Sequence, residues 1–522
     1  MKINFFLDDW HILESESYKF YYKGNFIYRD VLVSPEFIFS KILEIGYKIF
    51  DHIDGFFAFV FYNKIKKNIF ASVDLIRSIP LFYSFTPNEE LTFFSSIKSD
   101  FDKKYEVDII NRDLFLLSSY VLGNETLFKE IKQLTAGNFL KFKNSVLEDI
   151  SYFRFQAMEP KNFNEIDFEN ELNEVTSGAF QKLINHANGR QIVVPLSGGY
   201  DSRLIVSILK ELGYSNVICF SYGIKGNLEA EYSKKIAESL DYKWIFVEYT
   251  NDKWKKSWNS DFSKKYVDSS ANKTSLPHIQ DWIAVKELRE NNLVDKDAIF
   301  VPGHCCVTGY IDQSILKLSS NKDNVLNTLM DKHYILSPIN ETSLKNKDNL
   351  RIILDQKIFQ QLNYDDDLCS NIMEFNWKER QSKYIANSVR VYEFFGFTWW
   401  MPLWDRNFMD CWINVPNNFR VDRVFFKKWV SEKYSKQSNI SSDLGNAGTH
   451  SFLYRIAKKF INIIFPANLT NKIKAIYRKN EYSNHHLGLG DIINKKDRDE
   501  LTRRGYKVLG IYAKKYLSGD WS

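Results

Sequence analysis

A short run of serines, glycines and an aspartate, from Ser197 to Ser202, has the composition of a phosphate-binding loop. Its adjacent glycines, Gly198 and Gly199, would let backbone N–H groups approach an oxyanion without a Cβ in the way. The two serine hydroxyls add donors, and the N-terminus of a following helix adds partial positive charge. Because the carboxylate of Asp201 would repel bare phosphate, its presence favours a magnesium ion between the two.

The segments around this run are of the kind that would hold such a loop. Residues 191–196 predict a short buried strand before it, and an apolar stripe after it predicts an amphipathic helix. Strands at 217–220 and 244–247, separated by a helix at 229–240, continue the alternation, which predicts a parallel sheet. Ligands bind at the carboxyl ends of such strands. The alternative is an ordinary strand–turn–helix junction with Asp201 as the helix cap.

Composition limits the class of protein. The chain has 522 residues, enough for two or three domains, and it is 44% hydrophobic and 26% charged, which is typical of soluble globular proteins. Its net charge of +5 gives no argument for nucleic-acid binding. No apolar run reaches the ~20 residues of a membrane-spanning helix, and acidic residues follow the start too closely for a signal peptide. The five cysteines lack CxxC spacing, so we expect a cytoplasmic protein.

The amino-terminal residues 1–155 are expected to be rich in β-structure, and the residues after about 253 to be mainly helical. A polar loop is expected at 438–450. The basic stretch 454–479 is interpreted as a solvated surface helix, with a membrane-surface helix as the alternative. The β-structure includes a hairpin of strands 56–62 and 69–73 joined by a turn at 64–68, with further strands at 93–96 and 138–142.

The run from Ser197 to Ser202, which includes Tyr200, resembles the phosphate loop of ATP pyrophosphatases. Those enzymes split ATP into AMP and pyrophosphate to adenylate a substrate. They include asparagine, β-lactam, GMP and NAD synthetases and tRNA-thiolating enzymes. A Walker loop is excluded because no Gly-Lys-Ser/Thr follows. The loop motif alone does not choose among these enzymes.

Two amino-terminal segments narrow the resemblance. The segments 54–59 and 74–83 resemble the strand pair of class II glutamine amidotransferase domains, as found in asparagine synthetases, and residues 94–98, 126–131 and 134–138 continue the match in order. The resemblance implies a β-rich α+β amidotransferase-like domain at 1–155. It further implies a parallel-sheet α/β ATP-pyrophosphatase domain at 165–436 and a helical extension at 437–522.

The resemblance departs from the family at the glutaminase nucleophile. Class II glutaminases use an N-terminal cysteine, whose thiolate attacks the amide of glutamine. The first cysteine of this sequence is Cys219. We therefore expect no glutamine hydrolysis by this chain, and free ammonia or another amine as the nitrogen donor.

The resemblance also assigns roles to residues in the second half. Gly223 begins the loop where the family recognises the adenine side of ATP. Gly303 lies where the family carries a Gly-Asp-Gly-x-Asp-Glu loop, which binds magnesium and pyrophosphate; here the glycines stay and the acids are lost. Asp312 is the nearest carboxylate, so either it replaces those acids as a second metal ligand beside Asp201 or metal binding is weakened.

Further along, Arg390 and Glu393 are expected to face the cleft that holds the acyl-adenylate. Lys427 and Lys428 lie where the family places a lysine that stabilises charge during acyl transfer. A solvated basic helix face explains the two lysines equally well.

The sequence thus predicts an ATP- and magnesium-dependent, AMP-forming ligase that joins a carboxylate to ammonia or an amine. Aspartate is the family's usual acid, as in asparagine biosynthesis, and a carboxylated sugar for a surface polysaccharide is the alternative. A second hypothesis is a nucleotide-binding scaffold without catalysis. A homodimer is left open.

Overall fold

The structure is a computed structural model, which describes residues 2–86, 90–258, 260–358, 362, 366–438 and 492–519. Its amino-terminal region contains two sheets, with strand orders β1-β8-β7-β9 and β11-β10-β6-β5-β3-β2, and β4 pairs with β3. The helices α1 (Pro35–Ile45) and α2 (Ile109–Ser118) accompany them. The strands are β1 (Lys2–Phe6), β2 (His11–Glu14), β3 (Tyr18–Tyr28), β4 (Val31–Val33), β5 (Ile53–Asn63), β6 (Asn68–Val73), β7 (Phe82–Phe85), β8 (Glu90–Phe94), β9 (Lys132–Gln133), β10 (Asn138–Lys143) and β11 (Val146–Ser151).

Strand β5 is buried on both faces, which explains its continuous apolar sequence. Because successive side chains alternate, Phe57 and Phe59 pack towards Ile38 and Ile42 of α1. Ala58 and Val60 point to the opposite side, where the second sheet packs. Strands β5 and β6 form the antiparallel hairpin that the sequence predicts. The expected β-rich character of this region is confirmed.

The second region is built on a parallel sheet. Its strands are β12 (Ile192–Pro195), β13 (Val217–Gly223), β14 (Lys243–Glu248), β15 (Ile299–Phe300) and β16 (Thr398–Trp399), in the order β14-β13-β12-β15-β16. All neighbouring pairs are parallel. The predicted parallel α/β sheet is confirmed, and the two-residue strands β15 and β16 add to it. The order reverses direction between β12 and β15, so their carboxyl ends border a topological switch point.

Helices pack on this sheet and make up most of the described chain after β14. A ten-residue π-helix, Asn376–Ile385, directly follows the helix Leu368–Phe375. The last described segment contains the helices Lys495–Arg504 and Val508–Ser518. The other α-helices are α3 (Glu165–Ala187), α4 (Tyr200–Glu211), α5 (Leu228–Ser239), α6 (Asn251–Trp258), α7 (Asp261–Ala271), α8 (Trp282–Glu290), α9 (Lys322–His333), α10 (Lys347–Ile358), α11 (Leu368–Phe375), α12 (Arg390–Phe394), α13 (Arg406–Ile413), α14 (Asn417–Arg420) and α15 (Val424–Ser438).

The two regions share one apolar core, which extends from residues of the first sheet pair to the carboxyl-terminal helices. At their boundary the indole N–H of Trp377 donates to the carbonyl of Leu75 at 2.6 Å. Arg154 donates to both carboxylate oxygens of Glu374, each at 2.8 Å. The expected domain boundaries stay predictions.

Some expectations fall outside the described residues. These are the polar loop at 438–450, apart from Ser438 at the end of α15, the basic stretch 454–479, and much of the helical extension 437–522. In the part of the chain that the structure describes, no helix has the length and apolar character needed to cross a membrane.

Candidate functional site

The predicted phosphate loop connects β12 to α4 and is held together by its own hydroxyls. The amide of Gly199 donates to Ser197 Oγ at 3.1 Å, and the amide of Ser197 donates to Ser202 Oγ at 3.1 Å. Helix α4 begins at Tyr200, immediately after Gly199. The Tyr200 ring packs against the guanidinium of Arg203, which lies 5.0 Å from its centroid. The loop therefore places the amino end of a helix at the switch point of the sheet.

The loop after β15 lies against the phosphate loop. A Cβ on Gly303 would lie 3.0 Å from the backbone nitrogen of Ser202 and 3.3 Å from its Cβ, tighter than nearly all real Cβ contacts. A side chain at Gly303 would therefore require Ser202, near the start of α4, to move by a few tenths of an ångström. The structure thus brings together two segments that the sequence assigned to phosphate and pyrophosphate binding.

An open pocket of about 320 Å³ lies between these loops and the π-helix. The charged side chains that line it are Asp201, Arg380 and Arg423. Its other lining residues are Gly303, His304, Cys305, Val307, Thr308, Gly309, Tyr310, Gln381 and Ile385. A pocket with one carboxylate and two guanidiniums is better suited to an anion than to a cation.

Asp201 is paired with an arginine. Arg423 donates from Nη1 to Asp201 Oδ2 at 3.2 Å and from Nη2 to Oδ1, so both carboxylate oxygens are engaged. Burial opposes the charge on Arg423, but the Asp201 carboxylate outweighs it and raises the pKa of the guanidinium. Arg423 therefore keeps its positive charge beside Asp201.

Arg380 reaches the pocket from the π-helix. Its guanidinium lies 5.5 Å from the ring centroid of Tyr310, another lining residue. No carboxylate among the described residues pairs with it. Arg380 therefore gives the pocket a positive charge that Asp201 does not cancel.

The histidine in this pocket is neutral. His304 Nε2 lies 2.5 Å from Ser388 Oγ, and burial lowers the pKa of His304 to about 4. Burial lowers the pKa of His278 to about 3, and His304 and Arg380 act in the same direction. These imidazoles therefore add no positive charge near pH 7.

The carboxylates, as placed, do not fit a shared magnesium ion. Asp312 does not line the pocket; its carboxylate accepts from Lys332 Nζ at 2.7 Å and from the amide of Ser314 at 2.9 Å. Asp201 is engaged by Arg423. Nowhere in the described ranges do three or more His, Cys, Asp or Glu side chains gather as metal ligands. The magnesium assignment stays a prediction that these contacts disfavour.

The structure does not bring all the predicted residues together. Arg390 pairs with Glu393 at 2.6 Å and donates to the carbonyl of Ser78 in the amino-terminal region. Both side chains line another pocket, of about 340 Å³, at the boundary between the two regions. Their catalytic role therefore stays a prediction.

Three further predicted residues also do not line the pocket of Asp201. Lys427 and Lys428 belong to α15, and Lys428 is 63% exposed, with Glu165 at 3.9 Å. Neither lysine lines the pocket of Asp201. Gly223 ends β13, beside β12, and its carbonyl accepts from the amide of Tyr249 at 2.7 Å. Their roles, too, stay predictions.

Sequence reasoning missed the two arginines of this pocket. Arg423 follows Asp422 in a short turn before α15, and Arg380 lies in a helix whose π geometry has no known sequence signal. A single cation in a helix is too common to mark a site. The one available signal was the loss of acids after Gly303, which removes the usual partner of a metal and so raises the question of what replaces it.

Comparisons with known proteins agree with the order of the two regions. A family model described as a glutamine amidotransferase domain matches residues 34–153, and one described as asparagine synthase matches residues 187–259. A curated relative, a probable glutamine-hydrolysing asparagine synthetase of Acanthamoeba polyphaga mimivirus, is 28% identical over 199 residues. That match covers 37% of this chain, and the chain spans about a third, 34%, of the relative's length.

Solved structures give only weak global similarity. A predicted tRNA methyltransferase subunit of Methanocaldococcus jannaschii is 21% identical with a TM-score of 0.15, over 27% of this chain and 64% of its own. An NH3-dependent NAD synthetase of Campylobacter jejuni is 12% identical with a TM-score of 0.21, over 43% and 96%. An NMN synthetase of Francisella tularensis is 12% identical with a TM-score of 0.20, over 42% and 97%.

The matched domains therefore confirm the resemblance read from the sequence: the chain is similar to asparagine synthetases, with a glutamine amidotransferase-like region followed by an asparagine synthase-like region.

Proposed function

We propose that the chain is an ATP-dependent, AMP-forming ligase that joins a small carboxylate to ammonia or an amine. The observation that carries the proposal is the contact between two loops at the switch point of a parallel sheet. The phosphate loop from Ser197 to Ser202 meets the loop at Gly303 beside an open pocket. This is where an α/β sheet binds its ligand.

The reaction has two steps, both of which balance without an oxidant or reductant. In the first, a carboxylate oxygen attacks the α-phosphorus of ATP, and the bond from that phosphorus to the bridging oxygen of the β-phosphate breaks. Pyrophosphate leaves, and the acyl group is bound to AMP. In the second, the nitrogen attacks the acyl carbon, the carbon–oxygen bond to AMP breaks, and the nitrogen loses a proton to solvent.

The residues of the pocket would act mainly by stabilising charge. Backbone amides at the start of α4 would bind phosphate oxygens, helped by the partial positive charge of the helix end. Arg380 and Arg423 would neutralise the charge that grows on pyrophosphate as it departs. Such groups act without having to reorganise, because surrounding contacts hold them in place beforehand. No step is assigned to magnesium, since Asp201 and Asp312 are each paired with another cation.

The substrate acid is proposed by class only. Aspartate would make the reaction an asparagine synthesis, and a carboxylated sugar would connect it to polysaccharide assembly. The positive pocket suits either anion. The nitrogen donor is proposed to be ammonia or an amine, because the first cysteine of this sequence is Cys219, beyond the matched amidotransferase region, residues 34–153.

A nucleotide-binding scaffold is the second candidate, and one observation favours it. The family's acidic loop is replaced by Gly303 and neutral neighbours, and the remaining carboxylate, Asp201, is tied to Arg423. A scaffold would need to bind nucleotide without the groups that drive its cleavage.

Product analysis separates the two candidates. Purified protein is incubated with ATP, ammonium and a panel of carboxylates that includes aspartate and uronic acids, and AMP and pyrophosphate are measured. A ligase should form both in equal amounts, and only with its carboxylate present. ATP binding without AMP formation for any acid in a broad panel would favour the scaffold. A parallel sample with glutamine in place of ammonium should release no glutamate.

A further inference from the structure

We infer that the pocket beside the phosphate loop binds the phosphates of its ligand through Arg380 and Arg423, without a divalent cation. That the ligand is a nucleotide rests on the proposed function, whereas the anion-binding chemistry of the pocket does not. The ligand class is a pyrophosphate or polyphosphate anion, either free or as part of a nucleoside triphosphate.

Arg423 occupies the position beside Asp201 that a bound metal ion would take. A magnesium ion binds carboxylate oxygens at ~2.1 Å and keeps a nearly octahedral shell. Both oxygens of Asp201 instead accept hydrogen bonds from one guanidinium. Arg423 thus supplies positive charge at the mouth of the phosphate loop, in a planar form that suits phosphate oxygens.

The backbone turn and side-chain packing hold Arg423 in this place. Asp422 and Arg423 both have left-handed backbone conformations, with φ of 52° and 60°, which cost free energy in residues other than glycine. The amide of Asp422 donates to the carbonyl of Ile311 at 2.9 Å, which ties the turn to the loop that follows Gly303. The ring of Phe426 lies 4.5 Å from the guanidinium carbon. The direction of this side chain is therefore set by the backbone and by packing.

Arg380 is held in place as well, because the π-helix that carries it is anchored. Two buried side chains of this helix, Lys378 and Lys383, donate to the amino-terminal region: Lys378 to Asn138 Oδ1 at 2.9 Å and Lys383 to the carbonyl of Gly123 at 2.7 Å. Lys383 also pairs with Glu379. With its neighbours on the helix anchored, Arg380 is held towards the pocket.

The charged side chains of the pocket leave it with a net positive charge. Asp201 and Arg423 cancel, and His304 is neutral because burial depresses its pKa. Arg380 then leaves the pocket with one net positive charge before the helix end is considered. A site with two carboxylates would need a metal to accept phosphate, whereas this one does not.

The test measures binding by calorimetry, in EDTA and in magnesium, with inorganic pyrophosphate and with the α,β-methylene analogue of ATP. The wild-type protein should bind both ligands in EDTA, and magnesium should tighten the affinity by less than ~3-fold, well under the ~10-fold that one charge-assisted hydrogen bond gives. Binding of both ligands only in magnesium overturns the inference and leaves the proposed ligase standing. No binding in either condition overturns both, and binding of pyrophosphate alone supports the anion site while contradicting the ATP reaction.

Two variants distinguish the arginines from a metal. Arg423→Gln should weaken pyrophosphate binding in EDTA by at least ~10-fold, and magnesium should restore part of it, because Asp201 is then free to hold the ion. Arg380→Gln should weaken binding by a similar factor, with no restoration. If both variants bind as the wild type does in EDTA, the inference is wrong. Arg380 does not support the Asp201 pair, so its variant remains informative if Arg423→Gln folds poorly.

The chain offers a matched control. Arg504 donates from Nε and Nη2 to the two carboxylate oxygens of Glu341 on the surface, which makes a second two-point arginine–carboxylate pair outside the pocket. Arg504→Gln should leave the pyrophosphate affinity unchanged in both conditions. A loss of affinity in this variant equal to that in Arg423→Gln would point to a general effect of net charge and would overturn the specific assignment.

Discussion

Gly303 is a point of close approach between the two loops of the pocket. The missing Cβ leaves room for Ser202, whose hydroxyl in turn accepts from the amide of Ser197. The shape of the phosphate loop therefore depends on a glycine about a hundred positions away in the chain. Gly309, in the same loop, has no such role, since a Cβ there would find only Arg423 Cδ, at 3.9 Å.

Gly303→Ala should consequently weaken binding of pyrophosphate and ATP by at least ~10-fold, because the added methyl group displaces the start of α4 and the amides that bind the anion. Gly309→Ala, the matched control, should bind as the wild type does. Calorimetric titration of both variants provides the measurement. Equal affinities for Gly303→Ala and the wild type would mean that the loop amides do not hold the phosphates.

The sequence predicted one side of this site and not the other. Ser197 and Asp201 stood out because they occur in a short run after a predicted strand, and Gly303 stood out because its segment resembles the family's acidic loop, so local order was enough to find them. Arg423 could not be found in that way, since it meets Asp201 across 222 positions. Its placement depends on a left-handed turn whose residues are neither glycine nor asparagine.

At the scale of elements, the π-helix connects the pocket to the amino-terminal region. Its side chains include a buried ion pair, Glu379 with Lys383, both of which have no exposed side-chain area. Burial lowers the pKa of Lys383 to about 8, and the Glu379 carboxylate works in the opposite direction. Glu379 also accepts from the amide of Gly123 at 3.0 Å. The pair is thus part of the joint between the two regions.

Removing one member of this pair should be more harmful than removing both. Lys383→Met leaves Glu379 buried without its cation, at an expected cost of about 3–5 kcal/mol in the free energy of unfolding. The double variant Lys383→Met, Glu379→Gln keeps a neutral acceptor for Gly123 and should recover much of that loss. Urea denaturation of the two variants and of Glu379→Gln alone forms the cycle. Simple additivity of the two single changes would contradict this account.

In the second region, the sequence predicted the elements with a clear period and missed the two shortest strands. Strands β12, β13 and β14 alternate with amphipathic helices, so both periods are visible in the chain. Strands β15 and β16 have two residues each, too few to show alternation, and only their neighbours in the sheet define them. The π-helix was invisible for a similar reason, because its sequence has the composition of an α-helix.

At the scale of the whole molecule, both regions depend on the same apolar core. Trp377 packs edge-on against Phe153, with ring centroids 5.5 Å apart, and its indole N–H reaches Leu75. Buried histidines lie in this shared interior, among them His278 and His333, each with a pKa lowered to about 3 by burial. Protonation of such groups on unfolding affects the stability of the entire chain.

His278 allows this effect to be isolated. Its ring lies against that of Tyr384, with centroids 4.6 Å apart and the ring planes tilted by 30°, and its buried Nε2 has no hydrogen-bond partner among the described residues. In the unfolded chain His278 is protonated below pH 6.5, whereas in the folded chain it is protonated only below about pH 3. The contribution to stability is therefore complete above pH 6.5 and is lost as the pH falls towards 3, by ~2 kcal/mol at pH 5.

His278→Phe should remove this pH dependence while keeping an aromatic ring against Tyr384. Near pH 7.5 the variant should be at least as stable as the wild type, because no buried nitrogen is left without a partner. Between pH 7.5 and pH 5 it should lose ~2 kcal/mol less stability than the wild type does. Urea denaturation at both pH values measures the difference, with His11→Phe, on an exposed position of β2, as the control. If the two proteins lose the same stability over this range, His278 is protonated in the folded chain and its burial does not exclude the charge.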